Sequence, residues 1–469
     1  MATPMSYWDA VYAFLAAAAV AVVLTPLMAR VARRVGAISF PSARGLSRTP
    51  TPLLGGLAIL AGFLVAAVIW MPNVIYLAPV EGQRHGLISM VHKWPLLGGA
   101  VLIALVGAID DIRDLKPLFK LLGQVAAAVI AVRGGATINE LKLPVVGLLS
   151  FPNAGGELTV VWLVALMNIV NFSDGVDGLA AGVCTIDGVA FAVIAFMLQG
   201  SSSAAAVMAA ITAGASLGFL VHNFYPAKIF MGDAGSNLLG YLLGVVAVIG
   251  SLKTNVVVAL AVPLLILAVP FLDTGFVVAK RLKYGRKPWN ADANHFHHRM
   301  ARIGFSQRKT VIYLYSWTLM LAGVAVSLKL VPYQRPDGGY RVGWSIVMGA
   351  ILLGGLAASF YLVYVLEIFK FKALRSIQLR RADPGASEQD INRTVERDVG
   401  TGEFDSIKER PPWELGAGPA DPAAPGAGPI AGEDAEGPGR DGANAPGGLG
   451  EETGGDGASG PGGAGEGPR

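Results

Sequence analysis

The acids, histidines and arginines of this chain gather in a few short stretches whose residue types suit the handling of phosphate and a divalent cation. Asp110-Asp111-Ile112-Arg113-Asp114 sets three acids within five residues. On a helix Asp110 and Asp114 share a face and Asp111 points about 100° away, while Asp111 and Asp114 remain i, i+3 neighbours. Like charges that close repel unless a cation relieves them. Asn171-Phe172-Ser173-Asp174-Gly175-Val176-Asp177-Gly178 follows an apolar run, and each aspartate is chased by a glycine that permits a tight turn or a close ligand. Asp233 sits between Gly232 and Ala234-Gly235-Ser236. It reads either as a carboxylate ligand of Mg²⁺ at a helix N-terminus or as part of a turn and N-cap. His295, His297 and His298 stand beside Arg299, a set suited to binding phosphate oxygens or donating a proton to a departing one. Zinc is weakly supported there, because neither cysteines nor an HExxH helix accompany the histidines. A fifth stretch, Ser47-Arg48-Thr49-Pro50-Thr51-Pro52, adds a further cation. Taken singly, each stretch has an ordinary alternative as a cap, a solvated helix end or a surface run.

What must position these residues is a membrane bundle. Over half of the chain is apolar (53%) and only 15% is charged, against about 25% charged in soluble proteins. Runs near the 20 apolar residues that cross a bilayer give about eleven candidate spans: 8–30, 53–71, 95–109, 117–133, 158–172, 178–199, 203–222, 235–250, 256–280, 310–331 and 342–368. The expected fold class is an all-α polytopic integral membrane protein with its active site on the cytoplasmic face. The first run lacks a basic stretch before it and is followed by Arg30, Arg33 and Arg34, so it reads as a retained span. Cys184 is the single cysteine, which excludes an internal disulfide and a cysteine-based metal cage. There is no internal repeat of the kind that builds many transporters.

Lys and Arg alternate between rich and sparse loops. The loops after spans one, three and nine and the segment after the last span are rich; the loops holding Arg84 and Lys93, Arg133 and Lys142, Lys253, and Arg335 and Arg341 are sparse. The positive-inside rule then places the N-terminus outside and the C-terminus in the cytoplasm. All five polar stretches fall on the cytoplasmic face under this topology, which makes one composite site. The expected domains are a polytopic membrane domain over 1–381, which carries all five polar stretches, and a disordered cytoplasmic tail over 382–469, rich in Gly, Pro, Ala and Glu and poor in large apolar residues. A Walker loop and a GxSxG elbow are both missing, which disfavours a nucleoside-triphosphate-driven pump and a serine hydrolase. Metal-assisted phosphoryl transfer at a membrane face remains. A transporter or channel is the alternative of another class; it would use mid-depth acids, for which Asp187 and Asp273 are the candidates.

DDIRDL, NIVNFSDGVDGLAAG, FYPAKIFMGDAGS and HFHHR, in this order and separated by spans, resemble the polyprenyl-phosphate N-acetylhexosamine-1-phosphate transferases over roughly residues 8 to 370. The FYPAKIFMGD and HxHHR forms resemble the N-acetylglucosamine-1-phosphate branch more than the phospho-N-acetylmuramoyl-pentapeptide branch, which stays as the alternative. The resemblance implies attack of a polyprenyl-phosphate oxygen on the sugar-bearing phosphorus of a UDP-N-acetylhexosamine, with release of UMP. It implies Mg²⁺, with Mn²⁺ as a substitute, a plasma-membrane location, no nucleic-acid partner, and a homodimer as one oligomeric option. Carried onto this chain, Asp110 and Asp111 match the paired aspartates at the lipid phosphate and Asp233 matches the metal ligand. Asn171, Asp174 and Asp177 match the nucleotide-sugar turn, and His295, His297, His298 and Arg299 match the group near the diphosphate. Arg48 stands where the muramoyl-pentapeptide branch has a lysine, keeping the charge with a different hydrogen-bond geometry.

Overall fold

In a computed structural model, described for residues 6–40, 49–77, 89–138, 140–143, 147–151, 153–197, 203–251, 267–268, 306–333, 339–364, 376, 379–380, 385 and 387–401, the chain is mostly helical. The helices are α1 (Tyr7–Val35), α2 (Gly55–Trp70), α3 (Lys93–Arg113), α4 (Pro117–Arg133), α5 (Gly155–Ser173), α6 (Leu179–Met197), α7 (Ser203–Asn223), α8 (Gly232–Ser251), α9 (Gln307–Leu330), α10 (Val342–Tyr364) and α11 (Glu388–Thr401). Eight of them are long and apolar enough to cross a membrane, and α2 is a shorter apolar helix. Ten of the expected spans coincide with helices; the ninth, 256–280, lies outside the described residues except for 267–268. So do Asp273, Arg48, His295, His297, His298 and Arg299. Helix α11 falls inside the stretch expected as tail, and the chain beyond residue 401 is also outside the described residues.

The helices differ from the apolar runs chiefly at their ends. Span three was expected over 95–109, but α3 runs on to Arg113, so Asp110 and Asp111 belong to its last turn and not to a loop. Asp114 closes α3 in the left-handed region (φ 49°). Three two-stranded hairpins, absent from the all-α expectation, join the helices: β1 (Ile38–Ser39) with β2 (Thr51–Pro52), β3 (Val74–Leu77) with β4 (Ser89–His92), and β5 (Glu140–Leu143) with β6 (Gly147–Ser150). They let connecting backbone satisfy its own polar groups where no helix continues.

Helix α8 is the centre of the bundle, with nearly every side chain from Ala234 to Ile249 buried, and α2, α3, α5, α6 and α7 pack around it. Helix α1 lies against α2 and α7 through a stripe of small residues, Ala10, Ala13, Ala17, Ala21, Ala29 and Ala32. Such residues let helix backbones approach closely where lipid removes the hydrophobic drive. The outward faces of α1, α4 and α10 carry exposed Leu, Val, Ile and Phe, as a lipid-facing surface requires. At the end of α2, Lys93 is buried and its ammonium donates to the carbonyls of Val68 (3.3 Å) and Met71 (2.9 Å). It therefore caps a helix C-terminus, where it had been counted as a loop charge.

Asp187, in the middle of α6, is fully buried and its carboxylate oxygens have no hydrogen-bond partner among the described residues. It shares one stripe with Ala180, Cys184 and Phe191, and Cys184 is an unoxidised core residue as expected.

Helix α1 contains Pro26, which has no N–H to offer the carbonyl of Val22 one turn earlier. His222 of α7 reaches that carbonyl through Nε2 at 3.0 Å, and because a carbonyl only accepts, Nε2 must carry the proton. Replacing His222 by Phe is expected to lower the melting temperature in detergent, corresponding to a stability loss of about 1–3 kcal/mol for a part-buried carbonyl left unpaired. Adding Pro26→Ala, which restores the missing N–H, should recover most of that loss.

Candidate active site

The site is built where α8 begins. A helix N-terminus leaves its first amides without intrahelical partners and carries a partial positive charge. Here the carboxylate of Asp111, on the last turn of α3, accepts from the N–H of Asp233 (2.8 Å) and, through its other oxygen, from the N–H of Ala234 (3.2 Å). Gly232 makes the approach possible twice over. It has φ +68°, and a Cβ there would lie 2.2 Å from an Asp111 oxygen. On the flanks, a Cβ at Gly56 or Gly107 would meet the backbone nitrogen of Gly235 at 2.1 Å or of Ala234 at 2.4 Å. The segment leading into α8 is pinned by backbone bonds from Gly55 to Phe230 (3.0 Å), Gly56 to Met231 (2.9 Å) and Phe230 to Pro52 (2.9 Å). Thr51-Pro52, the end of the fifth polar stretch, thus lies beside the start of α8.

Held this way, Asp233 faces three other helices. Asn171, near the end of α5, donates Nδ2 to Asp233 Oδ1 and to Ser236 Oγ, each at 2.9 Å. Lys120, on α4, puts its ammonium 3.2 Å from Asp233 Oδ2 and 2.5 Å from Asp110 Oδ2. Asp110 uses its second oxygen to accept from the N–H of Leu115 at 2.8 Å. One oxygen from each of Asp110, Asp111 and Asp233 falls within a mutual 4.8 Å. Carboxylate oxygens retain acceptor capacity beyond one partner each, and a set of hard oxygens suits Mg²⁺ or Mn²⁺. The residues fit a divalent cation. Asp114, the neighbour expected to share the repulsion, is exposed and stands outside this group; Asp233, distant in sequence, takes its place.

Asp174 and Asp177 occupy the turn between α5 and α6 and have different surroundings. Asp177 Oδ2 accepts from the N–H of Ala227 at 2.9 Å and so ties the turn to the α7–α8 connection. Asn223 braces the same junction, accepting from the N–H of Gly178 (3.0 Å) and donating to the carbonyl of Ile229 (2.9 Å). Burial raises the carboxyl of Asp177, against the stabilising amide of Ala227. Asp174 caps α5, and burial first, then the charges of Asp233, Asp111 and Asp177, push its carboxyl up to about 8.

Lys120 counted from sequence only among the charges of the basic loop after span three, Ser236 was read as part of a turn and N-cap, and Gln124 and Asn237 were not singled out. Asn168 was noticed at the end of its run without a partner. The available signal was a cation and an amide at i, i+4 on one face of an otherwise apolar span, since polar groups in such spans are expensive.

Because Asp174 binds its proton more tightly folded than unfolded, its contribution to stability is full below the ordinary carboxylate range. That contribution is lost as pH rises through about 8. The metal-free protein should melt at a lower temperature at pH 9 than at pH 6 in detergent with chelator, and Asp174→Asn should flatten that decline. An unchanged slope in the variant would assign the titration elsewhere.

Comparison with known proteins agrees with this architecture. Residues 94–251, which hold α3 to α8 and the whole described cluster, match the model of glycosyl transferase family 4. The chain is 32% identical over 326 residues to a Bacillus subtilis (strain 168) protein named as a probable undecaprenyl-phosphate N-acetylglucosaminyl 1-phosphate transferase, covering 68% of this chain and 85% of the relative. It is 35% identical over 347 residues to the decaprenyl-phosphate N-acetylglucosaminephosphotransferase of Mycobacterium tuberculosis (strain ATCC 25618 / H37Rv), covering 70% and 82%. A phospho-N-acetylmuramoyl-pentapeptide-transferase of Desulforamulus reducens (strain ATCC BAA-1160 / DSM 100696 / MI-1) is 31% identical over 299 residues, covering 60% and 83%. With its apolar helices, its acidic cluster at the start of α8 and relatives matched over most of their length, the chain belongs to glycosyl transferase family 4, the family of membrane sugar-phosphate transferases.

Proposed function

We propose that this protein transfers N-acetylglucosamine-1-phosphate from UDP-N-acetylglucosamine to a polyprenyl phosphate at the cytoplasmic face of the plasma membrane. The product is a polyprenyl-diphospho-sugar for cell-envelope glycopolymers. The observation that carries the reading is the meeting of Asp110, Asp111, Asp233 and Lys120 at the N-terminus of α8. Acids that hold a cation stand there beside a lysine whose charge attracts phosphate. An oxygen of the lipid phosphate forms a bond to the sugar-bearing phosphorus, the bond from that phosphorus to the bridging oxygen breaks, and UMP leaves with the bridging oxygen. Both reactants are anionic, so positioning and charge neutralisation supply most of the rate. Mg²⁺, held by Asp233 with Asp110 and Asp111, would neutralise phosphate charge and orient the diphosphate.

The protein's own groups divide the remaining work. Asp111 sets both oxygens against the α8 amides, so beside its share in holding the cation its part is to fix Asp233, not to remove a proton. The lipid phosphate is already largely ionised at neutral pH, and no general base is required of Asp110, which positions Lys120. Lys120 offers its charge to a phosphate oxygen. Asn171 orients Asp233, while Asp174 and Asp177 form the nucleotide-sugar side of the site. His295, His297, His298, Arg299 and Arg48 are assigned to the diphosphate and its departing end. The positive-inside distribution of Lys and Arg supports the cytoplasmic orientation. The muramoyl-pentapeptide substrate is the second reading, since relatives of that name also match.

Purified protein with Mg²⁺, UDP-N-acetylglucosamine and polyprenyl phosphate should release UMP. Asp233→Asn should lower that rate by at least about 100-fold, as expected for a lost charge-stabilising group, without loss of the folded state in thermal unfolding. Full activity of the variant at limiting Mg²⁺ would remove the metal assignment. Preference for UDP-N-acetylmuramoyl-pentapeptide in direct competition would select the second reading, and solute movement in proteoliposomes without UMP release would overturn both.

A further inference from the structure

Behind the acidic cluster runs a buried chain of amides that the proposed reaction does not use. Gln124 lies one turn after Lys120 on α4 and is 5% exposed. Its Oε1 accepts from Asn168 Nδ2 of α5 at 2.8 Å, and its Nε2 donates to Asn237 Oδ1 of α8 at 2.9 Å. Asn168 also donates to the carbonyl of Val164 at 2.8 Å, and Asn237 donates to the backbone carbonyl of Asp233 at 2.9 Å. Gln124 and Asn237 are each held from both ends, and Asn168 through two donations from its Nδ2. The acceptor end of Gln124 faces a donor and its donor end faces an acceptor, so a flipped amide would place like groups together at both contacts.

This arrangement does more than satisfy polar atoms. Lys120 and Asn171 must reach Asp233 from two different helices. Helix α5 is keyed to α8 by the close approach of Gly240 to the backbone of Leu166 and Met167 and by Trp162 Nε1 donating to the Gly244 carbonyl (3.3 Å). Helix α4, in contrast, packs mainly on α3 and α5 and is bonded to α8 through Lys120 and Gln124, so the placing of α4 against that pair is what remains to be fixed. Apolar faces sliding past one another lose little contact, whereas a bonded amide buried between helices admits one register. Fully satisfied buried networks are specifying in this way, and residues that orient metal-binding groups from behind typically carry 10–100-fold in affinity or activity. We propose that Gln124 is a positioning residue: through Asn168 and Asn237 it locks α4 against α5 and α8 in the register at which Lys120 and Asn171 converge on Asp233. Resting on the transferase reading for its effect on turnover, the proposal also has a consequence for cation binding that does not depend on that reading.

The test is Gln124→Met, which keeps length and fills the same space without hydrogen bonds. The expected result is a roughly 10–100-fold fall in kcat for UMP release, with the KM for UDP-N-acetylglucosamine within about twofold. Mn²⁺ binding to the substrate-free protein, followed by magnetic resonance of the free ion, should weaken by about tenfold. A lower melting temperature with kcat and Mn²⁺ affinity both within twofold of the parent would overturn the proposal and leave Gln124 as a packing residue. Should Gln124→Met not fold, Asn168→Ala decides. It removes a partly exposed side chain in favour of the best helix former and frees one end of Gln124. Its expected loss is smaller, several-fold in kcat and in Mn²⁺ affinity, and none in either would equally overturn the proposal. If the parent protein releases no UMP, the transferase reading fails, while the Mn²⁺ comparison still judges the network.

Discussion

A helix that starts inside a membrane bundle exposes amides that water cannot easily reach, and the bond between Asp111 and the first turn of α8 answers that need. The remaining architecture depends on it. The two-oxygen contact joins the end of α3 to the start of α8, and it requires backbones to come within a distance that no Cβ would permit at Gly56, Gly107 or Gly232. Once α8 is seated there, its next residue to present a carboxylate is Asp233, aimed at α4 and α5. The structural cap and the chemical site are thus one interaction seen from two sides.

That seating gathers negative charge at the end of a low-dielectric bundle. Asp110, Asp111, Asp174, Asp177 and Asp233 stand near one another, and burial first, then the charges of Asp233, Asp111 and Asp177, raise the carboxyl of Asp174 to about 8. Lys120 and the positive end of α8 offset part of it. The remainder is an attraction for a cation, and a cation held there would in turn draw phosphate. Asp177 and Asn223 tie the turn between α5 and α6 to the α7–α8 connection in the same way, each through hydrogen bonds to backbone.

Much of this was legible beforehand, and the misses have physical reasons. Apolar runs located the helices because burial in lipid is a property of composition. They misplaced the end of α3 because a helix does not stop where hydropathy stops, and Asp110 and Asp111 extend it by satisfying partners elsewhere. Asp114 was paired with Asp111 because i, i+3 spacing is visible in sequence; the actual partner, Asp233, is separated by the four helices α4 to α7. Lys93 and Lys120 were counted as loop charges, since a charge count cannot say that one caps α2 and the other bridges two acids. The hairpins β3–β4 and β5–β6 were missed because their strands are only four residues each.

By itself, then, the amino-acid sequence determined that this is a membrane bundle, which stretches carry its chemistry, and which family of transferases it resembles. Those are properties of residue type and order, and hydropathy and motif spacing express them directly. Only the tertiary structure decided which carboxylate is a cap and which is free to act, which lysine enters the cluster, and that Gln124, Asn168 and Asn237 form a line behind it. These outcomes depend on the register between helices far apart in the chain. No local periodicity encodes that register; close packing and buried hydrogen bonds set it together.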